Sequence, residues 1–167
     1  MRNPHPERRT LTVGSLSRAA IIAALYTALT LLLAPISYGS LQIRLSEALT
    51  VVPILLPEAV PALAVGCLLS NLLGGCTISD IVFGTLATLL AAVCTRLLRS
   101  RPRLAISMPV LFNGVIVGAV VHYAYSPAIA LPLCMLLVAA GEAAACFVLG
   151  PLLLRALRSM PSKLLYT

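Results

Sequence analysis

The sequence has few charged residues, few aromatic residues and no tryptophan. Charged residues make up 10% of its 167 positions and aromatic residues 5%, whereas hydrophobic residues make up 60%. A soluble globular domain has about 25% charged and about 45–50% apolar residues. Because a soluble core of this size cannot bury so much apolar surface, the composition excludes an ordinary soluble domain and predicts a membrane protein.

The sequence also lacks the motifs of common energy-supplying and hydrolytic sites. Lys163 is the only lysine, and no G-x-x-x-x-G-K-[ST] segment occurs, which excludes ATP binding by a P-loop. Neither H-E-x-x-H nor G-x-S-x-G occurs, so hydrolytic catalysis has no support. We therefore predict that the chain is not an enzyme.

The cysteines and histidines show no metal-binding pattern. The five cysteines include no C-x-x-C pair, and His5 and His122 are far apart. Zinc or disulfide chemistry is not expected from this spacing. We predict no metal and no cofactor, with the cysteines acting as small apolar side chains in helix contacts.

The net charge of +7 is concentrated beside the hydrophobic runs. The first cluster precedes the first run, the second separates two later runs, and the third follows the last run. Their members are Arg2, Arg8, Arg9 and Arg18; Arg96, Arg99, Arg101 and Arg103; and Arg155, Arg158 and Lys163. Since cytoplasmic loops retain Lys and Arg, this placement indicates membrane topology and no nucleic-acid partner.

The hydrophobic runs predict six helices. Their expected bounds are 19–36, 46–56, 59–73, 80–98, 104–125 and 128–154. The first run resembles a signal peptide in its basic flank, but its 18 residues and the lack of an A-x-A site favour a retained helix. The second run would cover only ~16 Å as an α-helix, against ~30 Å of hydrocarbon. We therefore expect it to be short and to turn near Pro57.

Six crossings would place both termini on the same side of the membrane. All three basic clusters would then be cytoplasmic, which agrees with the distribution of positive charge. The predicted organisation is a basic cytoplasmic tail over 1–17, a six-helix plasma-membrane domain over 18–157 and a cytoplasmic tail over 158–167. Residues 38–44 are expected to form the first outer loop.

Six polar residues fall within or beside the predicted helices in one outward half of the membrane, four near the outer rim and two, Asn113 and Glu142, roughly 15–18 Å below it. They are Arg44, Glu47, Asn71, Asp80, Asn113 and Glu142. An ionisable side chain in a membrane requires a polar interior or a partner, so we predict that the six line one outward-facing ligand cavity. As alternatives, Arg44 and Glu47 could pair at i, i+3, Asp80 could cap its helix, and the asparagines could cross-link helices.

The residue types indicate the kind of ligand without identifying it. Carboxylates and amides favour a ligand rich in N–H donors, and one carboxylate matches the two parallel donors of a guanine edge. Five aromatic residues near the outer half could stack on a flat ring, although interfacial anchoring is the commoner role for tyrosine. These are Tyr38, Phe83, Phe112, Tyr123 and Tyr125.

Small residues mark two surfaces for close helix contact. Ala20, Ala24 and Ala28 recur every four residues in the first helix, and Gly114 and Gly118 form a similar patch in the fifth. Such patterns let another helix approach closely. The spacing of the alanines does not show whether their partner helix lies in this chain or in another protein. By default we expect packing within the chain.

Several segments resemble one known family, the queuosine-precursor transporters that act as substrate-binding S-components of energy-coupling factor (ECF) importers. The resemblance covers nearly all of residues 17–157. Its segments are 20–26 with 33–37, 42–50 (QIRLSEALT), 66–75 (GCLLSNLLGG), 80–88 (DIVFGTLAT) and 141–142 (GE).

The resemblance implies a six-helix S-component-like bundle that binds a queuosine precursor, a 7-deazaguanine base, from outside. It also implies a transmembrane coupling subunit and two cytoplasmic ATPases as partners, with Ala20, Ala24 and Ala28 contacting the coupling subunit. Rival hypotheses are an S-component for another vitamin, a standalone proton-coupled carrier that uses Glu142, and a membrane scaffold with no ligand.

Overall fold

The computed structural model describes residues 12–38 and 44–160. Predictions for the tail residues 1–11 and 161–167, and for most of the first loop at 39–43, lie outside the described residues. Within the described ranges, all regular secondary structure is helical. The prediction of an all-α protein is therefore confirmed.

The described residues form six helices and one short helical turn. They are α1 (Val13–Leu32), α2 (Ala34–Ser37), a 3₁₀ helix (Leu45–Ile54), α3 (Ala59–Leu73), α4 (Ile78–Leu97), α5 (Pro102–Tyr125) and α6 (Leu131–Ser159). The bounds of α3 agree with the prediction. The predicted start of the first helix was wrong by six residues, because the Thr12 hydroxyl caps α1 by accepting from the backbone N–H of Ser15.

The second predicted helix is a 3₁₀ helix and not an α-helix. At about 2.0 Å per residue its ten residues extend roughly 20 Å, against about 15 Å for the same residues in an α-helix. Pro53, inside it, has no N–H to donate. Every residue of this helix except Leu45 is buried, and it contacts α1, α3, α4, α5 and α6. It is the central element of the bundle.

Two of the long helices contain π-helical turns near polar residues. In α5 the turns are Asn113–Val117 and Val121–Tyr125, and in α6 the turn is Ala145–Leu149. The first begins at Asn113, and the last begins three residues after Glu142. Such turns widen the helix locally and occur frequently at functional sites.

Hydrogen bonds define the two ends of the bundle. At one end, which we call the neutral end, Tyr125 Oη accepts from the backbone N–H of Thr77 at 3.0 Å. At the other, the basic end, Arg96 Nη1 donates to the carbonyls of Pro53 and Ile54 at 3.1 and 3.2 Å. The 3₁₀ helix therefore ends at the basic end.

The surface of the bundle is apolar and its interior is polar. Leucine, valine, isoleucine and phenylalanine side chains are exposed along α1, α3, α4, α5 and α6, whereas threonine, asparagine and acidic side chains are buried. Helices α1, α4, α5 and α6 are long and apolar enough to cross a membrane. The chain is thus a multi-pass membrane protein; α3 and the 3₁₀ helix are shorter, and six crossings remain a prediction.

Close helix contacts inside the bundle use glycine. A Cβ added at Gly66 would lie 2.9 Å from Cβ of Tyr26, and one added at Gly118 would lie 2.6 Å from Cα of Met135. Gly66 brings α3 against α1, and Gly118 brings α5 against α6. The Gly114–Gly118 patch therefore packs within the chain.

The alanine stripe on α1 does not pack within the chain. Ala20, Ala24 and Ala28 are all exposed, whereas Ile22, Ala23 and Tyr26 on the other face are buried. The default interpretation of intramolecular packing was wrong, because α1 approaches α3 through the opposite face. The stripe is left on the outer surface of the bundle.

Candidate functional site

The structure brings all six polar residues of the sequence analysis into one buried cluster. Each has a relative exposure of 2% or less. They come from the 3₁₀ helix and its first flanking residue (Arg44 and Glu47), from α3 (Asn71), from α4 (Asp80), from α5 (Asn113) and from α6 (Glu142). The cluster has two layers, which we describe in turn.

The rim layer consists of Arg44, Asn71 and Asp80 and lies towards the neutral end. Arg44 Nη2 is 3.9 Å from Asp80 Oδ2 and donates to Asn71 Oδ1 at 3.4 Å. Asn71 Nδ2 donates to the Asp80 carbonyl at 3.3 Å. The Tyr125 hydroxyl donates to Asp80 Oδ2 at 3.3 Å. The one cation and the one anion of this layer thus face each other.

Tyr38 covers the rim layer where the first loop enters the bundle. The guanidinium carbon of Arg44 lies 5.5 Å from the centre of the Tyr38 ring, within cation–π range. The Tyr38 hydroxyl donates to the Ser70 carbonyl at 2.7 Å. Burial raises the pKa of Tyr38 to about 12, so this hydroxyl keeps its proton at neutral pH.

The carboxyl layer consists of Glu47, Asn113 and Glu142. The side-chain amide of Asn113 lies beside both carboxyl groups. Glu47 Oε2, Asn113 Oδ1 and Glu142 Oε2 are buried, and none has a hydrogen-bond partner among the described residues. Three buried acceptor oxygens, one each from the 3₁₀ helix, α5 and α6, therefore have no donor among the described residues.

Tyr26 and Cys146 complete the surroundings of Glu47. The Tyr26 hydroxyl donates a short hydrogen bond to Glu47 Oε1, and Cys146 Sγ donates to the Glu47 carbonyl at 3.6 Å. Tyr26 was not among the residues predicted to form the site. The available signal was a polar hydroxyl in the middle of an apolar helix, on the face opposite the alanine stripe.

The structure contradicts two of the structural roles suggested for these residues from the sequence and supports a third. Arg44 pairs with Asp80 and not with Glu47. Thr77 caps α4, since its hydroxyl accepts from the Asp80 N–H at 3.4 Å. Asn71 does cross-link α3 and α4, as the alternative proposed.

Outside the cluster, Glu58 lies at the start of α3 and pairs with Arg18 Nε at 2.6 Å.

Gly84 leaves room for the rim layer. A Cβ at this position would lie 3.1 Å from Asn71 Nδ2 and 3.2 Å from Asp80 Oδ1. Both contacts are tighter than an ordinary van der Waals separation, so alanine would displace one of the two side chains. The G-T-L-A segment of α4 (residues 84–87) therefore packs directly against the polar cluster through Gly84.

A second concave surface is apolar and lies apart from the polar cluster. This apolar groove, of about 710 Å³, is lined by residues of α4, α5 and α6 that include Phe83, Leu86, Val115, Tyr123 and Met135. Phe83 and Tyr123 therefore face this surface and not the polar cluster, whereas Tyr38 and Tyr125 contact the rim layer. This lining offers few of the polar groups that fix the orientation of a ligand.

Comparison with known families identifies the family of this chain. A family described as the QueT transporter matches residues 16–159. The chain belongs to the QueT transporter family. The matched segment contains every residue of both layers, together with Tyr26, Tyr38 and Tyr125.

One curated relative shares part of the sequence of this family member. It is the queuosine precursor transporter QueT of Lactococcus lactis subsp. cremoris (strain MG1363), which is 42% identical over 72 residues. The similar segment covers 42% of this chain and 42% of the relative. No solved structure matches the chain.

Proposed function

We propose that this chain is the substrate-binding S-component of an ATP-driven ECF importer and captures a queuosine precursor, a 7-deazaguanine base, from outside the cell. The observation that supports this most is the buried polar cluster in a bundle whose surface is apolar. Buried oxygens without partners are costly in a protein interior, and a ligand with several N–H groups would satisfy them.

In this proposal the six cluster residues form the ligand site, and six crossings place both termini in the cytoplasm. The rim layer lies at the neutral end, so the ligand enters from the side that has no basic cluster. Arg99, Arg101 and Arg103 are exposed at the opposite end, as expected for a cytoplasmic turn.

ATP hydrolysis is assigned to partner subunits. The chain has no P-loop, and the exposed alanine stripe on α1 offers a flat surface for a transmembrane coupling subunit. Two cytoplasmic ATPases would complete the importer. This chain would supply ligand recognition only.

Thermal unfolding of the purified chain with a panel of candidate ligands tests the proposal. A ligand at 100 times its Kd stabilises the folded state by about 2.7 kcal/mol, so a 7-deazaguanine base should raise the melting temperature. Stabilisation by a different vitamin and not by deazaguanines would support the hypothesis of an S-component for another vitamin. If no compound in the panel raises the melting temperature, the hypothesis of a membrane scaffold without a ligand is favoured.

A standalone proton-coupled carrier is the second candidate, because Glu142 is buried in α6 and its Oε2 has no partner among the described residues. Intramembrane carboxyl groups of this kind serve as proton sites in transporters. Vesicles that contain this chain alone, without ATP, should accumulate no ligand under a proton gradient. Gradient-driven uptake would support the carrier and contradict the subunit proposal.

A further inference from the structure

A second groove lies between α5 and α6, towards the basic end of the bundle. This basic-end groove has a volume of about 470 Å³ and adjoins the apolar groove at Val115 and Met135, which line both. Its other lining residues include Ser107, Met108, Leu111, Gly114, Leu136 and Ala139. These residues are uncharged, and none of them belongs to the polar cluster. The groove is therefore an apolar surface separate from the proposed ligand site.

The basic-end groove follows the contact between α5 and α6. A Cβ added at Gly114 would lie 2.9 Å from Cβ of Ala139, so the two helices meet there. Leu111 of α5 and Leu136 of α6 remain exposed beside this contact. From residue 107 to residue 115 the groove follows α5 for ~12 Å. That length is close to half of the ~30 Å hydrocarbon thickness, which is the depth of one leaflet.

Exposed arginines lie at the mouth of this groove. Arg103 precedes Ser107 by four residues in α5, so the two side chains share one face of the helix. Arg99 and Arg101 lie in the turn before α5. All three arginines are exposed, and none forms an ion pair among the described residues. Because Ser107 Oγ already donates to the Leu104 carbonyl at 2.8 Å, the side-chain donors left at the mouth belong to the arginines.

The acidic residues of the described ranges do not neutralise this turn. Glu47, Asp80 and Glu142 are buried in the polar cluster. Glu58 pairs with Arg18 at 2.6 Å, and the first turn of α5 contains no acidic residue. Three positive charges therefore border the basic-end groove without a counter-ion from the described residues. An occupant that joins a negative charge to an apolar chain is complementary to this surface.

We infer that the basic-end groove binds an anionic phospholipid, with its phosphate at Arg103 and one acyl chain along Leu111 and Leu136. Guanidinium groups bind phosphate oxygens through paired N–H donors, and basic pockets between membrane helices bind anionic headgroups. A zwitterionic lipid offers the same phosphate and chain, but its amine returns a positive charge to the arginine turn. The preferred headgroup is thus a phosphodiester without an amine, as in phosphatidylglycerol. This inference does not depend on which ligand the polar cluster binds.

Tryptophan fluorescence tests this inference, because the sequence contains no tryptophan. Leu111→Trp places a single fluorophore at the groove of the full-length chain, which is reconstituted in phosphatidylcholine vesicles. A small fraction of the lipid carries brominated acyl chains, which quench tryptophan on contact, and has either a phosphatidylglycerol or a phosphatidylcholine headgroup. The quenching curves should give phosphatidylglycerol an affinity at least about fivefold higher, the effect of roughly one arginine at a membrane surface. Equal quenching by the two lipids would overturn the inference.

Leu25→Trp is the matched control on a surface outside the groove. Leu25 lies seven residues after Arg18, near the basic end of α1. Leu111 likewise lies eight residues after Arg103, and the two leucines are 48% and 54% exposed. The two brominated lipids should quench Leu25→Trp equally. The same phosphatidylglycerol preference at both positions would indicate only a general attraction to the basic end, and the groove would not be a lipid site.

Two charge variants, made in the Leu111→Trp background, identify the headgroup contact. Arg103→Gln should reduce the phosphatidylglycerol preference about fivefold. Arg158→Gln removes the same charge from an exposed position of α6 at the same end of the bundle, and it should leave the preference nearly unchanged. Equal reductions by the two variants would contradict a phosphate contact at Arg103.

A protein partner is the other possible occupant of the groove. If neither brominated lipid quenches Leu111→Trp while both quench Leu25→Trp, a second copy of the chain covers the groove and the lipid inference is wrong. Melting temperatures show that each variant is folded. Leu136→Trp, on the α6 side of the groove, repeats every comparison if Leu111→Trp does not fold.

Discussion

The hydroxyl of Tyr26 donates a hydrogen bond to Glu47 Oε1, although the two residues lie 21 positions apart in the chain. Both side chains are fully buried. The bond joins α1, whose opposite face bears the exposed alanine stripe, to the 3₁₀ helix at the centre of the bundle. One helix therefore presents an outer surface and also orients a carboxyl group of the candidate ligand site.

Replacement of Tyr26 by phenylalanine tests this link. The variant leaves Glu47 Oε1 buried without its donor, which should lower the free energy of unfolding by about 1–3 kcal/mol. Affinity for a 7-deazaguanine should also fall, because Glu47 loses its fixed orientation. Unfolding in mixed detergent micelles and ligand titration measure the two effects. Tyr123→Phe is the matched control, since Tyr123 is 74% exposed; equal behaviour of the two variants would refute the link.

Contact between α5 and α6 should depend on the space at Gly114. An added Cβ there would lie 2.9 Å from Cβ of Ala139, so Gly114→Ala should lower the free energy of unfolding by about 1–3 kcal/mol. The double variant Gly114→Ala, Ala139→Gly removes the facing methyl group and should recover part of the loss. Thermal unfolding of the single and double variants is the measurement. No recovery would mean that these helices do not meet through the two residues.

The exposed alanine stripe should bind the coupling subunit. Ala24→Leu adds bulk to a surface that is exposed in the isolated chain, so folding and ligand binding should stay close to wild type. Co-purification with a coupling subunit should fall about tenfold or more, because close helix approach requires small side chains. Ala124→Leu, at an exposed position of α5, is the control. Normal co-purification of Ala24→Leu would remove the stripe from the interface.

The reactivity of Cys76 reports both its environment and the topology. Burial, followed by the negative charge of Asp80, raises the pKa of this thiol to about 11. Since the thiolate is the reactive form, labelling by a membrane-impermeant maleimide should be slow at pH 7 and should accelerate about tenfold per pH unit below the pKa.

The same label reports which side of the membrane the neutral end faces. Cys76 should be modified in intact cells, with Cys76→Ser as the control that defines background labelling. Modification only after the membrane is permeabilised would place the neutral end in the cytoplasm and reverse the proposed topology. A rate that does not change between pH 7 and pH 9 would contradict the raised pKa.

Hydrophobic runs and turn residues were sufficient to predict most of the fold. Gly74 and Gly75 ended α3 where expected, and Pro57 and Glu58 separated it from the preceding helix. The 3₁₀ geometry of Leu45–Ile54 was not predictable in the same way. Hydrophobic periodicity distinguishes helix from strand, but the choice of a 3₁₀ helix depends on the five helices that pack around this segment.

The site was predictable as a set of residues but not as a set of partnerships. Depth along the helices brought Asn113 and Glu142 to one level, but it placed Glu47 at the outer rim, whereas in the structure Asn113 lies beside both Glu47 and Glu142. Spacing suggested an Arg44–Glu47 pair. In the structure Arg44 pairs with Asp80 of α4, and Glu47 accepts a hydrogen bond from Tyr26 of α1. Contacts between distant elements override a local i, i+3 spacing, and only the three-dimensional arrangement decides between them.

A structure of the chain with bound 7-aminomethyl-7-deazaguanine is the decisive test of the proposed ligand site. Ligand density is expected within about 3 Å of the carboxyl oxygens of Glu47 and Glu142, the range of charge-assisted hydrogen bonds. No ligand is expected in the apolar groove beside Phe83 and Met135. Ligand density in that groove, with none beside Glu47 and Glu142, would show that the polar cluster is not the ligand site.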